Sequence, residues 1–324
     1  MPRTAKAPSC DGLLVVNKPG GKTSHDVVES VRRLFGFRGI GHLGTLDPMA
    51  TGVLVLALGR ATRLAQFYGG RRKRYTCAVR FGFGTDTYDA DGEALGPDTA
   101  PSLNADEIAA HAAQFLGASQ QIPPAYSAKK IHGRPAHELA RKNKPVKLAP
   151  VEVQVFEFRL TGIEGSKARF VVECGAGAYI RSLAHDLGHL QGSGAHLAEI
   201  TRTAVGEFTL NQAISLAELE HDNKVGRLFK RVIPFEELLP DLPRTTVLPI
   251  VEKRVRHGAK FNVSLAQIQP GHTAGAQDAP SQLDSGEWKP ARLRVFNQQG
   301  QLIAIAEPVV PRTYQPLVVL EAMP

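Results

Sequence analysis

One carboxylate, Asp47, stands in a segment whose residue types can hold it in a single geometry. Residues 41–52 read GHLGTLDPMATG, with three glycines and one proline around this aspartate. Glycine permits close backbone approaches, and proline fixes φ and removes a hydrogen-bond donor. A reacting group needs such a constrained position. The pair Asp47-Pro48 is also typical of an ordinary helix start, in which Asp caps the first turn and Pro occupies its first position.

The same segment resembles the signature of a known enzyme family. The TruB family of tRNA pseudouridine synthases has a pattern close to G-H-x-G-x-L-D-P-x-A-T-G-x-L, and twelve consecutive positions of this chain fit it. Further blocks in the family's order make a chance match implausible. They are Val16-Asn17-Lys18-Pro19, Thr23-Ser24, Lys73-Arg74-Tyr75, Gly84-Thr85-Asp86-Thr87, Asp89-Ala90-Asp91-Gly92, residues 123–130, residues 179–183 and Arg202-Thr203.

The resemblance implies isomerisation of a uridine in tRNA. Pseudouridylation breaks the N1–C1′ bond, turns the base over and joins C5 to C1′, a redox-neutral reaction for which we expect neither cofactor nor metal. The family's catalytic carboxylate corresponds to Asp47, which would act on the sugar much as carboxylates do in glycoside cleavage. Arg181 would pair with Asp47 and keep it ionised. Tyr75 would stack on the target base, and its hydroxyl could assist proton loss from C5.

Five further residues are candidates for substrate binding by the same resemblance. The target base must leave its stack to be reached, and His42 could occupy the space that it vacates. Tyr179 and Ile200 align with family positions that touch the flipped uridine, although core packing would also explain both. Lys18 could meet a phosphate or support the catalytic loop. Asp89 could pair with a basic neighbour instead of touching the substrate.

The charge of the chain suits a nucleic-acid partner. The net charge is +8 and the isoelectric point is near 9.5, with Lys and Arg clustered at residues 71–74, 129–130 and 141–144. Charge runs are usually solvated surface, but these lie beside the family's motifs and are predicted to contact phosphates. The resemblance implies tRNA as the partner and uridine-55 in its T arm as the target.

Composition argues against several other classes of protein. The three cysteines, Cys10, Cys77 and Cys174, are an odd number without C-x-x-C spacing, which disfavours a disulfide framework or a zinc knuckle. The N-terminus shows no apolar signal segment, and the longest apolar run, residues 53–58, is too short to cross a bilayer. We therefore predict a cytoplasmic protein without membrane association, monomeric and without an obligate protein partner.

These candidates must be positioned by both strands and helices. Alternation and turn signals predict strands, and capped apolar stripes predict helices. Strands are predicted at residues 12–16, 53–58, 75–82, 151–159, 167–174, 293–296 and 302–306, and helices after Thr23 and at residues 62–68, 106–116 and 179–190. The resemblance implies an α+β (mixed α/β) fold, a pseudouridine synthase core with a large, mainly antiparallel sheet and a central cleft.

The resemblance also implies a domain division. Residues 10–242 would form the catalytic domain, with an RNA-gripping insertion at about residues 120–147. Residues 243–324 would form a small β-rich domain similar in position to the PUA-like appendage of the family. Residues 271–288, rich in Ala, Gly, Gln, Ser and Asp, are predicted to be a mobile loop.

Two other motifs are decoys. Residues 185–196 approach a metzincin zinc signature, but Asp186 replaces the general-base Glu and His196 comes one residue late. Residues 87–98 resemble an EF-hand loop, but Thr87 replaces the first ligand and Asp98 the final Glu. Neither metal site is predicted.

The chain departs from the family pattern at two places, and three rival functions remain open. Many members have Ser-Lys-Gly where residues 175–177 read Gly-Ala-Gly, so a phosphate contact from Lys is in doubt. His137 stands where Tyr is common. The rivals are a guide-RNA-dependent synthase of the same superfamily, a tRNA-folding chaperone with incidental catalysis, and a retaining glycosidase, for which no second acid is found.

Overall fold

The chain combines six α-helices with two substantial β-sheets among the residues described here. The computed structural model describes residues 10–126, 130–131, 134–135, 148–271 and 291–320. The helices are α1 (Ser24–Phe35), α2 (Ala65–Tyr68), α3 (Ala105–Ala113), α4 (Ile180–Gln191), α5 (Leu216–Lys224) and α6 (Pro249–Arg256). The predicted α+β class is confirmed.

Nine strands form the main sheet. They are β1 (Gly12–Lys18), β2 (Ile40–His42), β3 (Thr51–Leu58), β4 (Lys73–Phe81), β5 (Gly117–Gln121), β8 (Val151–Glu164), β9 (Lys167–Cys174), β10 (Ala195–Val205) and β11 (Phe208–Thr209), with a separate small hairpin of β6 (Lys130–Ile131) and β7 (Arg134–Pro135) between them in sequence. The order across the sheet is β1-β3-β10-β4-β9-β8-β5. Neighbours are antiparallel except for β3 and β10, which run parallel. The sheet is therefore mainly antiparallel, as predicted.

Both faces of the strands β1 and β3 are buried, which explains the unbroken apolar run at residues 53–58. Leu54 and Leu56 pack into a core cluster that α1, α3 and α4 cover. Val53 and Val55 point the other way, into a cluster shared with the C-terminal part of the chain. A strand buried on both faces reads as continuously hydrophobic and not as an alternation.

Helix α1 begins where the sequence predicts. The Thr23 side chain accepts from the Asp26 backbone N–H, and the Asp26 carboxylate accepts from the Thr23 backbone N–H, which completes a capping box. Gly36 ends the helix in the left-handed region, with φ of 72°. By contrast, no helix begins at Asp47-Pro48, so the helix-start interpretation of that pair is wrong.

A second sheet lies in the C-terminal part of the chain. Its order is β13-β17-β16-β15-β12-β14, from strands β12 (Arg244–Thr246), β13 (Phe261–Asn262), β14 (Ile268–Gln269), β15 (Leu293–Phe296), β16 (Leu302–Val310) and β17 (Thr313–Val319). Leu302, Ile305 and Val318 of this sheet join the cluster that covers the outer face of β1 and β3. The two sheets therefore share a hydrophobic core.

Several elements differ from the sequence predictions. The central strand β10 was not predicted, because its sequence AHLAEITRTAV mixes charged and apolar residues without clean alternation. The predicted helix at residues 106–116 ends at Ala113, and a strand follows from Gly117. The predicted helix at residues 62–68 is divided into a 3₁₀ turn (Gly59–Leu64) and α2. Predictions for Lys129, His137, residues 141–144 and the loop after Gly271 lie outside the described residues.

Candidate active site

The loop that carries Asp47 rests on a buried lysine. Lys18, the last residue of β1, is fully buried. Its Nζ donates to the carbonyls of Pro19 at 2.9 Å, Lys22 at 2.6 Å and Pro48 at 3.0 Å. An ammonium has three donors, and all three are used here. Lys18 therefore supports the loop from beneath and presents no surface to a phosphate.

A serine fixes the residue just before the carboxylate. Ser24 Oγ accepts from the Leu46 backbone N–H at 2.8 Å and donates to the Leu46 carbonyl at 3.0 Å. Ser24 is buried and is the first residue of α1, so the capping box at Thr23 also sets its position. The start of α1 thereby fixes the backbone of Leu46 and, with it, the position of the neighbouring Asp47.

A buried arginine holds the other side of the loop. Arg202, on β10, is 2% exposed. Its Nε donates to the Val53 carbonyl at 2.8 Å, Nη1 to the Thr45 carbonyl at 3.1 Å and Nη2 to the Gly44 carbonyl at 3.1 Å. Gly52 lets β3 approach β10 this closely, since it has φ of +101° and a Cβ there would lie 2.2 Å from the Arg202 carbonyl oxygen.

Arg181 joins two carboxylates at the centre of the site. Its Nε lies 2.9 Å from Asp47 Oδ2, and Nη2 donates to Asp47 Oδ1 at 3.3 Å. Nη1 lies 3.3 Å from Asp89 Oδ2 and also donates to the Thr87 carbonyl at 3.2 Å. Nη2 donates further to the Tyr126 carbonyl at 2.9 Å. The guanidinium is buried, both Nη atoms donate hydrogen bonds, and Nε contacts Asp47 as an ion pair without a hydrogen bond, so Asp47 faces a fixed positive charge.

The electrostatics of Asp47 reflect opposing influences. Desolvation raises the pKa of its carboxyl, the Arg181 guanidinium opposes that rise, and the negative charge of Asp89 adds to it. The Asp47 side chain is nevertheless 41% exposed and lies 2.9 Å from Arg181. Water and the ion pair both stabilise the charged form, so we expect a carboxylate at neutral pH. Asp47 is thus an oriented anion that substrate can reach.

Tyr75 lies on the central strand β4, close enough to Asp47 for the charge of that carboxylate to act on its phenol. It is the direct cross-strand partner of Arg202, and only 7% of its surface is exposed. Burial raises the pKa of the Tyr75 phenol to about 12, while the nearby Arg202 guanidinium opposes the rise. The hydroxyl is therefore neutral at physiological pH. It can accept a proton only if it passes one on at the same time.

The remaining predicted residues lie at the ends of, or within, elements that adjoin the site. His42 ends β2 and is exposed, beside the start of the Asp47 loop. Tyr179 precedes α4, and its backbone N–H and carbonyl are both bonded to the Gln121 side-chain amide, at 2.8 and 3.0 Å. Ile200 lies on β10 opposite Cys77 of β4 and is half-buried against the core. The structure thus brings Asp47 and Asp89 into direct contact with Arg181, whereas Tyr179 and Ile200 are described by their contacts with Gln121 and the core.

Sequence reasoning assigned no role to three residues that support the site. Ser24 and Arg202 occur in blocks of the family pattern, which marked them as family positions but suggested no role for either side chain. Gln121, at the end of β5, is buried, and its side-chain amide bonds to the backbone N–H and carbonyl of Tyr179. No residue-type pattern marks such a glutamine in advance.

The basic run at residues 71–74 has acidic partners within the chain. Arg71 forms two bonds to Asp241, at 2.9 and 2.7 Å. Arg72 lies 3.4 Å from Glu173, and Arg74 lies 3.6 Å from the same carboxylate. These pairs weaken the expectation that the whole run faces phosphates, and they give Arg71 a structural role between the main sheet and the segment before β12.

The decoy motifs have ordinary structural roles. Asp89, in the EF-hand-like loop, accepts from Thr87 Oγ1 and pairs with Arg181. His185 and His189, one turn apart on α4, have their Nε2 atoms 3.0 Å from each other, and Tyr88 stacks on His185. Within the described ranges, no three His, Cys, Asp or Glu side chains form a set that could hold a metal ion.

The helices of the described ranges give no membrane span. None of them combines the length and the apolar character needed to cross a bilayer.

Two family models match most of the main sheet and the helices that cover it. Residues 32–180 match the TruB family pseudouridylate synthase N-terminal domain, and residues 181–240 match the tRNA pseudouridylate synthase B C-terminal domain. The boundary between the two matches falls at Arg181, so the residues that meet at Asp47 come from both.

Curated relatives match over nearly the whole chain. The tRNA pseudouridine synthase B of Solibacter usitatus is 43% identical over 310 residues, which cover 96% of this chain and 100% of that protein. The protein of the same name from Thermotoga maritima is 36% identical over 296 residues, 91% of this chain and 89% of the relative.

Solved structures share the fold at lower identity. A Cbf5–Nop10–Gar1 complex contains a chain that is 24% identical, with a TM-score of 0.70, covering 96% of this chain and 85% of that one. An H/ACA ribonucleoprotein bound to a substrate RNA containing 2′-deoxyuridine gives a TM-score of 0.69 at 23% identity, with 97% and 85% coverage. At these identities the likeness supports the fold alone.

Proposed function

The chain belongs to the TruB family of pseudouridine synthases, and on that premise we propose that it converts uridine-55 in the T arm of tRNA to pseudouridine. The observation that carries this proposal is the ion pair between Arg181 and Asp47, which presents one oriented and accessible carboxylate beside Tyr75. Relatives at 43% and 36% identity that are named tRNA pseudouridine synthase B support tRNA as the substrate.

The proposed reaction needs one carboxylate and a place for the base to turn. The N1–C1′ bond breaks, C1′ is left electron-poor, and the base rotates before C5 bonds to C1′. The proton lost from C5 is balanced by one gained at N1. Asp47 either attacks C1′ directly or removes a sugar proton to give a glycal, and its accessible carboxylate suits both routes.

The other site residues have distinct proposed roles. Tyr75 forms a platform for the uracil ring, and its neutral hydroxyl relays the proton from C5. His42 occupies the space left by the flipped base. Tyr179 and Ile200 contact the uridine. Lys18 is buried and binds backbone carbonyls, and Asp89 is buried and binds Arg181. Both residues therefore act through the groups that they hold.

The proposed organisation is that of a stand-alone enzyme. Residues 10–242 form the catalytic domain, and residues 243–324 form a PUA-like domain built on the second sheet. We propose a cytoplasmic monomer that needs no guide RNA, no protein partner and no cofactor. The higher identity to the tRNA pseudouridine synthase B relatives than to the H/ACA chain favours this over guided modification.

One assay tests the function. A tRNA transcript with tritium at C5 of its uridines is incubated with the purified chain alone, and tritium release is followed by mapping of the modified position. We expect one equivalent of tritium per tRNA, and none from a transcript with cytidine at position 55. Release only after guide RNA and partner proteins are added would support the guided alternative.

The chaperone alternative is tested in cells. If tRNA folding and not chemistry is the important function, an Asp47→Asn variant complements a strain lacking the enzyme in every phenotype. We expect that variant to restore neither pseudouridine at position 55 nor the phenotypes that depend on this modification.

A further inference from the structure

The Asp47 loop and Tyr75 are both joined to one almost fully buried side chain, that of Arg202. Arg202 bonds to the carbonyls of Gly44 and Thr45, three and two residues before Asp47, and to that of Val53 on β3. Its cross-strand partner is Tyr75. We propose that Arg202 is a positioning residue, which holds the Asp47 loop and the Tyr75 ring at a fixed separation. The proposal rests on the proposed function.

The number of constraints supports this role. A loop between β2 and β3 has no ladder of its own, so its backbone must be fixed by other contacts. Lys18 binds the carbonyl after Asp47, Ser24 binds both polar backbone groups of Leu46, and Arg202 binds carbonyls before it. Of these three, only Arg202 lies on a strand that pairs with Tyr75. It therefore links the loop to the base platform.

The geometry of the guanidinium explains why arginine is used. Arg202 binds its three carbonyls from three separate nitrogens of a planar, branched head, whereas a lysine would have to serve them all from a single nitrogen. At 2% exposure the side chain cannot touch RNA, so it acts through the groups that it holds. Its positive charge also opposes the rise in the pKa of Tyr75, because that charge stabilises negative charge on the phenol oxygen.

The chain contains a matched control for this buried arginine. Arg294 is 4% exposed and donates to three carbonyls, those of Leu242 at 3.1 Å, Leu238 at 3.2 Å and Pro240 at 3.4 Å. It lies on β15 in the second sheet. Arg202→Lys and Arg294→Lys therefore remove the same kind of bonding from the same kind of environment.

The test compares these two variants in single-turnover pseudouridine formation, tRNA affinity and thermal unfolding. Because a misplacement of about 1 Å can cost about 100-fold in rate, we expect Arg202→Lys to lower the single-turnover rate by about that factor, with tRNA affinity within about threefold. We expect Arg294→Lys to retain a wild-type rate, although its unfolding temperature falls comparably. A near-normal rate for Arg202→Lys, or an equal loss in both variants, would overturn the proposal.

A second measurement covers a variant that folds poorly. Arg202→Ala leaves space for added guanidinium, which we expect to raise the rate of this variant at least tenfold at millimolar concentrations, without effect on the wild-type chain. Failure of guanidinium to restore any rate counts against the positioning role. If both Arg202 variants are unfolded while Arg294→Lys is folded, the proposal is also contradicted, since Arg202 would then be required for folding. A wild-type chain without activity would instead refute the proposed function.

Discussion

Asp47 and Asp89 share one guanidinium, although they lie on separate loops. Arg181 contacts Asp47 through Nε and Nη2 and Asp89 through Nη1, at 2.9, 3.3 and 3.3 Å respectively. Asp89 is buried, whereas Asp47 keeps 41% of its side chain exposed. Asp89 therefore anchors the arginine, and Asp47 remains accessible to solvent.

The exposed carboxylate should carry the chemistry and little of the binding. We expect Asp47→Asn to abolish turnover while tRNA affinity stays within several-fold, because the side chain acts on the sugar and contributes little to phosphate binding. Tritium release and filter binding on the purified variant measure the two quantities. Wild-type-like release would show that another group does the chemistry.

The shared guanidinium leads to shifts of opposite sign in the pH profile. If Asp47 must be ionised, the single-turnover rate falls as pH drops through its pKa. Arg181→Met removes a positive charge, raises that pKa and should move the acid limb to higher pH. Asp89→Asn removes a negative charge and should move the limb to lower pH, even if the maximum rate falls. Arg169→Met, which loses an exposed pair with Glu199, is the control and should leave the limb in place.

Tyr75 combines two roles that substitutions can separate. Because the raised pKa of about 12 keeps its hydroxyl neutral, we expect Tyr75→Phe to bind tRNA normally and to lose the proton relay, at a cost of about 100-fold in single-turnover rate. Tyr75→Leu also loses stacking, worth roughly 1–3 kcal/mol. A near-normal rate for the Phe variant would leave Tyr75 only a platform, and a near-normal rate for Leu would place it outside the site.

Arg71 should contribute to stability and not to RNA binding. Its two bonds to Asp241 occupy the side chain, which is 22% exposed. We expect Arg71→Gln to lower the free energy of unfolding by roughly 1–3 kcal/mol and to leave the salt dependence of tRNA affinity unchanged. If the log–log slope instead flattens by somewhat less than about one, Arg71 contacts a phosphate. Asp241→Asn should reproduce the stability loss.

Two glycines of the Asp47 segment should respond differently to a methyl group. Gly52 has φ of +101°, and its added Cβ would lie 2.2 Å from the Arg202 carbonyl oxygen. We expect Gly52→Ala to destabilise the fold by more than about 1 kcal/mol, because both the conformation and the close approach exclude a Cβ. Gly41→Ala meets no atom within 4 Å and should change stability by less than about 0.5 kcal/mol. Equal losses in denaturant unfolding would contradict this account.

Local elements were predictable because their causes lie within a few residues. The capping box of Thr23 and Asp26 begins α1, and the hairpin of β8 and β9 follows from alternation around a short turn. Strand β10 was missed because His196, Glu199 and Arg202 interrupt the apolar pattern that is typical of a central strand. The isolated propensity of those residues is overridden by pairing with β3 and β4.

The sequence by itself determined the family and the fold class and identified Asp47 as the candidate for the reactive carboxylate, since these depend on residue types at fixed spacing. Only the tertiary structure decided which charged side chains support that carboxylate. Asp47 and Arg181 are 134 positions apart, and Lys18 and Arg202 are buried on backbone carbonyls. Every residue has a carbonyl, so no pattern of residue types reveals which lysine or arginine will bind one. That assignment requires the folded chain.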